Sequence, residues 1–354
     1  MTVYLINIAL ILFWGVFLLH SNSTDKKKKL YCVIVTIQWT LVSGLRHISV
    51  GADTPGYATW FDRVKTMSWR SLLMSNWDYL FSDIDMKDPG YYLIQKIFQV
   101  FFDDYQMWLV FIALFFTGLM ARWIYKYSSL PDISFLLYSV LFYSFYALTG
   151  HRQTIATALV LFVGYELVKK KKWIQLAVVT FIAYMIHKSS IVFVAYYLIA
   201  HISLTPIYFF AMMGVTVVLA MFGARLYGPI ALALGFGEEG QVFNDIGGAE
   251  TYATILLLLC VVSLILYPTI KAMRVDTKFI YNMLFLTIMT TILVYSNQTF
   301  MRIQQYFSMI TMIILPEFVR AIDKRYRIFL YLALVIFLIA YLVRNNPSYK
   351  FFFM

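Results

Sequence analysis

Four cationic or imidazole-bearing patches sit at the ends of long apolar runs. They are Arg46 in SGLRHISVGADTPGY, His151-Arg152 in TGHRQTIA, His187-Lys188 in MIHKSS and Arg302 in NQTFMRIQQYF. A charge at the edge of such a run is costly unless it has a partner or a task. Guanidinium groups match phosphate oxygens in a bidentate fork. Arg152 opens a helical stretch, so the positive end of a helix dipole adds to its charge. His187 titrates near neutrality and can serve as a base or as a phosphate contact. Gln305 and Tyr306 fall three and four residues after Arg302 and share its helical face. The carboxylates within loop reach are Asp53, Asp62, Asp88, Asp103 and Asp104, any of which can act as a base or balance charge. The pattern points to a site for an anionic, phosphate-bearing substrate. For each residue there is a competing structural reading, as a snorkelling anchor, a local ion pair or a core histidine. No H-x-E, HExxH, CxxC, Walker or GxGxxG pattern is present, so neither a metal nor a nucleotide cofactor is expected.

The elements that position these residues are membrane helices. The chain is 61% hydrophobic and only 13% charged over 354 residues, about half the charge of a soluble domain. Apolar runs occur near 3–20, 30–47, 105–124, 132–150, 152–169, 173–187, 189–203, 206–226, 251–271, 279–297, 300–321 and 328–343. Read as crossings of roughly 30 Å of hydrocarbon, they give about twelve transmembrane helices, with eleven and thirteen as alternatives. The predicted fold is an all-α integral membrane protein forming a single polytopic domain over 1–354. The first run lacks a basic flank and a cleavage site and reads as a retained helix. Cys32 and Cys260 both lie inside apolar runs, which gives no disulfide framework.

Charge then sets orientation. Lys26 to Lys29, Arg122 with Lys126, Lys169 to Lys172, Lys271 with Arg274 and Lys278, and Arg320 with Lys324, Arg325 and Arg327 fall on one side. That side holds 17 of the 29 basic residues and six acidic ones, which is the whole +11 excess of the chain. The positive-inside rule makes it cytoplasmic. The basic balance is thus an orientation signal and not a nucleic-acid footprint. The four patches come out together on the other side. Two external loops are expected, about 46–104 and about 227–250, and the first contains LIQKIFQVFF, a helical pattern too short to span that reads as an interfacial or re-entrant helix.

In order along the chain come Arg46, Gly51, Asp53, Thr54, Tyr57 and Phe61, then Asp88-Pro89-Gly90-Tyr91, Arg152-Gln153 with Ala156, His187-Lys188-Ser189-Ser190, and Arg302 with Tyr306-Phe307 and Leu315-Pro316. This succession resembles the EpsG family, multi-pass Wzy-like polymerases of bacterial exopolysaccharide, capsule and O-antigen, over about residues 40–320. Where that family often has Glu before Pro-Gly-Tyr, this chain has Asp88. The resemblance implies a bundle similar to GT-C-like transferases and O-antigen polymerases, on the outer face of the bacterial cytoplasmic membrane. It implies metal-independent transfer of a growing glycan from undecaprenyl pyrophosphate to a new lipid-linked repeat unit, with no cofactor. A flippase and a chain-length regulator of the same pathway are the implied partners. On this reading Arg46, Arg152, Lys188 and Arg302 hold the pyrophosphate, where fixed positive charge meets developing negative charge. Asp53, Asp88 and His187 are the candidate bases, in that order. Tyr57, Tyr91, Gln153, Gln305 and Tyr306 are the candidate glycan contacts. The alternatives are a flippase or transporter of the lipid-linked oligosaccharide and an O-antigen-ligase-like transferase.

Overall fold

The computed structural model describes residues 1–20, 23–82, 87–234, 249–345 and 347–354. Among these residues the fold is all-helical with no strand, apart from an isolated antiparallel bridge between Arg46 and Phe351. We number the helices α1 (Thr2–Gly15), α2 (Asp25–Gly44), α3 (Thr54–Thr66), α4 (Trp69–Phe81), α5 (Pro89–Gln99), α6 (Tyr105–Tyr127), α7 (Pro131–Leu137), α8 (His151–Thr157), α9 (Gly164–Lys169), α10 (Trp173–Ile186) and α11 (Val194–Ile199). There follow α12 (Pro206–Leu234), α13 (Ala249–Ile265), α14 (Tyr267–Met273), α15 (Thr277–Ser296), α16 (Met301–Ser308), α17 (Thr311–Ala321) and α18 (Arg327–Asn345).

The expectation of twelve transmembrane helices is not met. Among the described residues, five helices are long and apolar enough to cross a membrane, or six if α13 and α14, bent by 70°, form one span. The reason is length. The apolar run at 173–187 folds as the 14-residue α10, about 21 Å at 1.5 Å per residue, short of the hydrocarbon thickness. Other runs are interrupted: α7 leads into π-helical turns at Tyr138–Phe142 and Ser144–Thr149, and α8 and α9 flank another at Ala158–Val163. Hydropathy registers apolarity but not helix continuity, and irregular backbone is tolerated at membrane depth where protein covers it. These broken elements are covered, since nearly every residue from 131 to 168 is buried or half-buried. By contrast α18 and the span Pro206–Leu226 are largely exposed, as lipid-facing helices would be.

The five basic clusters are joined by side-chain contacts. Glu166 pairs with Arg122, Lys126 and Lys170; Asp276 with Lys169 and Arg274; and Glu317 with Arg274 and Arg320. Tyr125 donates to Asp25, and Lys28 Nζ donates to the Ser128 carbonyl. The clusters therefore share one end of the bundle. At the other end of α6, Tyr105 donates to the Thr54 carbonyl and Gln106 to that of Gly44. The 23 residues of α6, about 34 Å long, thus hold the Arg46 level and the basic network a membrane thickness apart.

The predicted loop at 46–104 holds three helices. Pro55 and Pro89 open α3 and α5 at positions where a missing N–H costs nothing. Ser68 caps α4 and Asp104 caps α6 through side-chain bonds to Ser71 N and Met107 N. The interfacial helix expected at 93–102 is α5, displaced towards Pro89 because the Asp-Pro turn starts it earlier. Of the second predicted loop, residues 227–234 continue α12, and 235–248 lie outside the described residues.

Candidate anion-binding site

Asp88 organises the site. Its backbone is left-handed, φ 56°, a conformation that Asp adopts more readily than most residues. Its side chain does not cap α5 and instead reaches the turn between α10 and the next helix. Oδ2 accepts from His187 Nδ1 at 2.9 Å and pairs with Arg152 Nη1 at 3.1 Å. Oδ1 accepts from the backbone N–H of Lys188 at 3.0 Å. The α5–α10 approach that permits this depends on Gly90: a Cβ there would lie 2.5 Å from the Met185 carbonyl oxygen.

Burial works to raise the Asp88 pKa, but His187, Arg152 and the Lys188 N–H outweigh it and hold the carboxyl below its ordinary range. Burial also depresses the His187 pKa, by more than Asp88 raises it, so the imidazole is neutral near pH 7. With Nδ1–H donated to Asp88, the lone pair is on Nε2.

A second chain of contacts stands beside the first. Arg152 Nε donates to Tyr57 Oη at 3.4 Å. Tyr57 stacks on His151, with ring centroids 4.4 Å apart and planes 13° from parallel. His151 Nε2 accepts from Arg46 Nη2 at 2.7 Å, which fixes the imidazole as the neutral Nδ1–H tautomer, because a guanidinium only donates. Nδ1 faces Tyr91 Oη, which also accepts from Trp108 Nε1 at 3.1 Å. Gly51, at φ 97°, lets this layer close: a Cβ there would fall 2.1 Å from the Leu148 carbonyl oxygen, the same oxygen that accepts from Arg46 and Thr54.

In front of these groups is a cavity of about 420 Å³. Its walls bring Arg152, Gln153, His187 and Arg302 together with Asp53 and Tyr57, from four segments of the chain. Trp60, Tyr92 and Phe145 supply aromatic surface, and Lys87 a third cation. Gln153 Nε2 donates to the Arg302 carbonyl at 2.6 Å and ties the start of α8 to α16. Among the described residues the wall carries three cations and one carboxylate, with Asp88 paired to Arg152 behind it. This balance favours an anionic ligand, and neutral His187 can accept a proton there.

Six of the twelve candidate residues line this cavity. Asp88 and Tyr91 stand behind it, each almost fully buried. Arg46 is also buried, 2% exposed, and its donors go to Ser43, Leu148 and His151. Lys188 contributes its backbone N–H. Tyr306 is buried with its hydroxyl on Ser189 Oγ at 3.1 Å, and Gln305 lines a neighbouring cavity. Arg302, Gln305 and Tyr306 thus diverge because α16 is enclosed by protein on several faces. Lys87 and Phe145 were not singled out in the sequence: Lys87 had a signal in its place beside Asp88, whereas Phe145 is one of 31 phenylalanines. Among the described residues, no group of three or more His, Cys, Asp or Glu has the geometry of a metal site.

The sequence matches the model of the EpsG family over residues 29–353, nearly the whole chain. No curated protein and no solved structure matches it.

Proposed function

The chain belongs to the EpsG family, associated with polysaccharide polymerase-like proteins, and we propose that it is the polymerase of a bacterial surface polysaccharide. It transfers a growing glycan from undecaprenyl pyrophosphate to a fresh lipid-linked repeat unit, within a GT-C-like bundle. The observation that carries this reading is the cavity on which Arg152, Arg302 and the neutral imidazole of His187 converge.

In the reaction, the acceptor sugar hydroxyl gives its proton to His187 Nε2 as its oxygen bonds to the anomeric carbon of the donor. The bond from that carbon to the pyrophosphate oxygen breaks, and its electron pair stays with the pyrophosphate. Arg152 and Arg302 stabilise the developing charge without reorganising. Asp88 is a positioning residue that fixes the tautomer of His187 and the direction of Arg152. Arg46 acts at one further remove, by holding His151 and hence Tyr57. Asp53, at the exposed rim, is the rival base. The cavity is at the opposite end of α6 from the basic network, which, with the positive-inside rule, supports a site on the outer face of the cytoplasmic membrane. A flippase and a chain-length regulator are the partners this role requires.

The test is a polymer-length assay on Arg152→Ala and Arg302→Ala that fold and insert normally. Loss of long polymer, with single lipid-linked units accumulating outside, is expected. Normal polymer from either variant would overturn the reading, and units trapped inside would favour a flippase.

A further inference from the structure

The cavity beside the anion site has different chemistry. It encloses about 460 Å³, within the range of about 300–1,000 Å³ typical of small-molecule pockets. Its wall includes Tyr143, Tyr252 and Tyr341 together with Ser144, Gln305 and Asn345, and among the described residues no Asp, Glu, Lys or Arg lines it. Phe145 belongs to both walls. The neighbouring pairs Thr149 with Gly150 and Met301 with Arg302 divide in the same way, the first of each pair on this cavity and the second on the anion site. The two spaces are therefore adjacent compartments with Phe145 between them.

Gln305 gives this compartment a polar group that the protein leaves unpaired. The residue is 5% exposed, and its side-chain Oε1 is buried with no hydrogen-bond partner among the described residues. An unpaired buried amide oxygen costs about 1–3 kcal/mol, and a ligand donor removes that cost. The two apolar grooves on α10, lined by residues such as Leu176, Phe181 and Met185, lack this combination of aromatic faces, neutral amides and hydroxyls. Aromatic faces suit the C–H faces of a sugar ring, and neutral amides and hydroxyls suit its hydroxyl groups.

We infer that this compartment is a saccharide subsite, holding an uncharged stretch of glycan that passes Phe145 to reach the cationic cavity. The inference rests on the polymerase reading and adds where the sugar portion lies. It separates recognition of sugar from recognition of pyrophosphate.

The experiment measures equilibrium binding to the full chain in nanodiscs with two probes. One is fluorescently labelled oligosaccharide of one to three repeat units, released from the host's own polymer by partial acid hydrolysis. The other is undecaprenyl pyrophosphate without sugar. Gln305→Leu removes the unpaired acceptor oxygen that a ligand donor would meet, and Ser144→Trp fills the compartment from an exposed position. Both should weaken oligosaccharide binding about tenfold, the equivalent of one hydrogen bond, and leave undecaprenyl pyrophosphate within twofold. Arg302→Ala should do the reverse. Oligosaccharide binding unchanged in both compartment variants, or both probes weakened equally, overturns the subsite. Undecaprenyl pyrophosphate binding that ignores Arg152→Ala and Arg302→Ala counts instead against the polymerase reading.

Discussion

The carboxylate of Asp88 accepts a hydrogen bond from His187 Nδ1 at 2.9 Å, across 99 residues of sequence. This one bond assigns the imidazole its tautomer and leaves Nε2 as the basic nitrogen on the cavity wall. It also gives the buried carboxylate a reason to exist, because a buried charge without donors is expensive.

Asp88→Asn keeps the shape but loses the charge that fixes the tautomer. Polymerisation rate in proteoliposomes should fall by about 100-fold or more, the scale of a lost acid–base contribution. Undecaprenyl pyrophosphate binding should weaken much less. A rate within threefold of wild type would mean that Asp88 does not position the base.

The pH response follows from two depressed pKa values. Asp88 is held below its ordinary value, so its contribution to stability is complete above the ordinary carboxylate range and is lost as pH falls through the folded value. His187 is neutral in the fold with its pKa below the ordinary 6.5. Unfolded chains bind a proton on it first as pH drops, so it too lowers stability from about pH 6.5 downwards. Both effects have the same sign. Polymerisation should hold level from pH 7.5 to 6.5 and then decline, with a midpoint below 6.5. A midpoint above that value in the pH–rate profile would rule out His187 as a base with a depressed pKa.

Arg46→Ala should act on folding. The substitution removes one of the two donors on the Leu148 carbonyl and the donors on the Ser43 carbonyl and His151 Nε2, in a fully buried layer. The cost should be about 1–3 kcal/mol for each buried acceptor left unpaired, read as a lower thermal midpoint in detergent. Variant protein that remains folded should bind undecaprenyl pyrophosphate like wild type. Selective loss of binding at full stability would instead make Arg46 a direct ligand.

Gly90→Ala tests the α5–α10 approach. The new methyl would meet the Met185 carbonyl oxygen at 2.5 Å, so the helices must part. Overpacking of this kind costs about 1–3 kcal/mol, and here it also draws Asp88 away from His187. Activity should fall further than the stability loss explains. An active Gly90→Ala enzyme with an unshifted thermal midpoint would show that the approach is not required.

Sequence by itself determined the chemical class of this protein and its internal order. Composition made it a membrane protein, and continuous apolar runs too long for barrel strands made its fold all-α. The clusters from Lys26 to Arg327 fell on one side, and the ion pairs around Glu166, Asp276 and Glu317 show them sharing one end. The short motifs around Asp88, Arg152, His187 and Arg302 named candidate site residues through their family resemblance. Only the tertiary structure decided their relations. Apolar runs said nothing about where π turns and breaks divide a helix, so twelve expected spans became five or six among the described residues. Local spacing could not pair Asp88 with Arg152 and His187, since those contacts cross 64 and 99 residues and depend on how α5, α8 and α10 pack. Nor could it show that Arg46 faces inward while Arg152 faces the cavity. Two arginines at the ends of apolar runs look alike in sequence, and burial, which separates them, is a property of the assembled bundle.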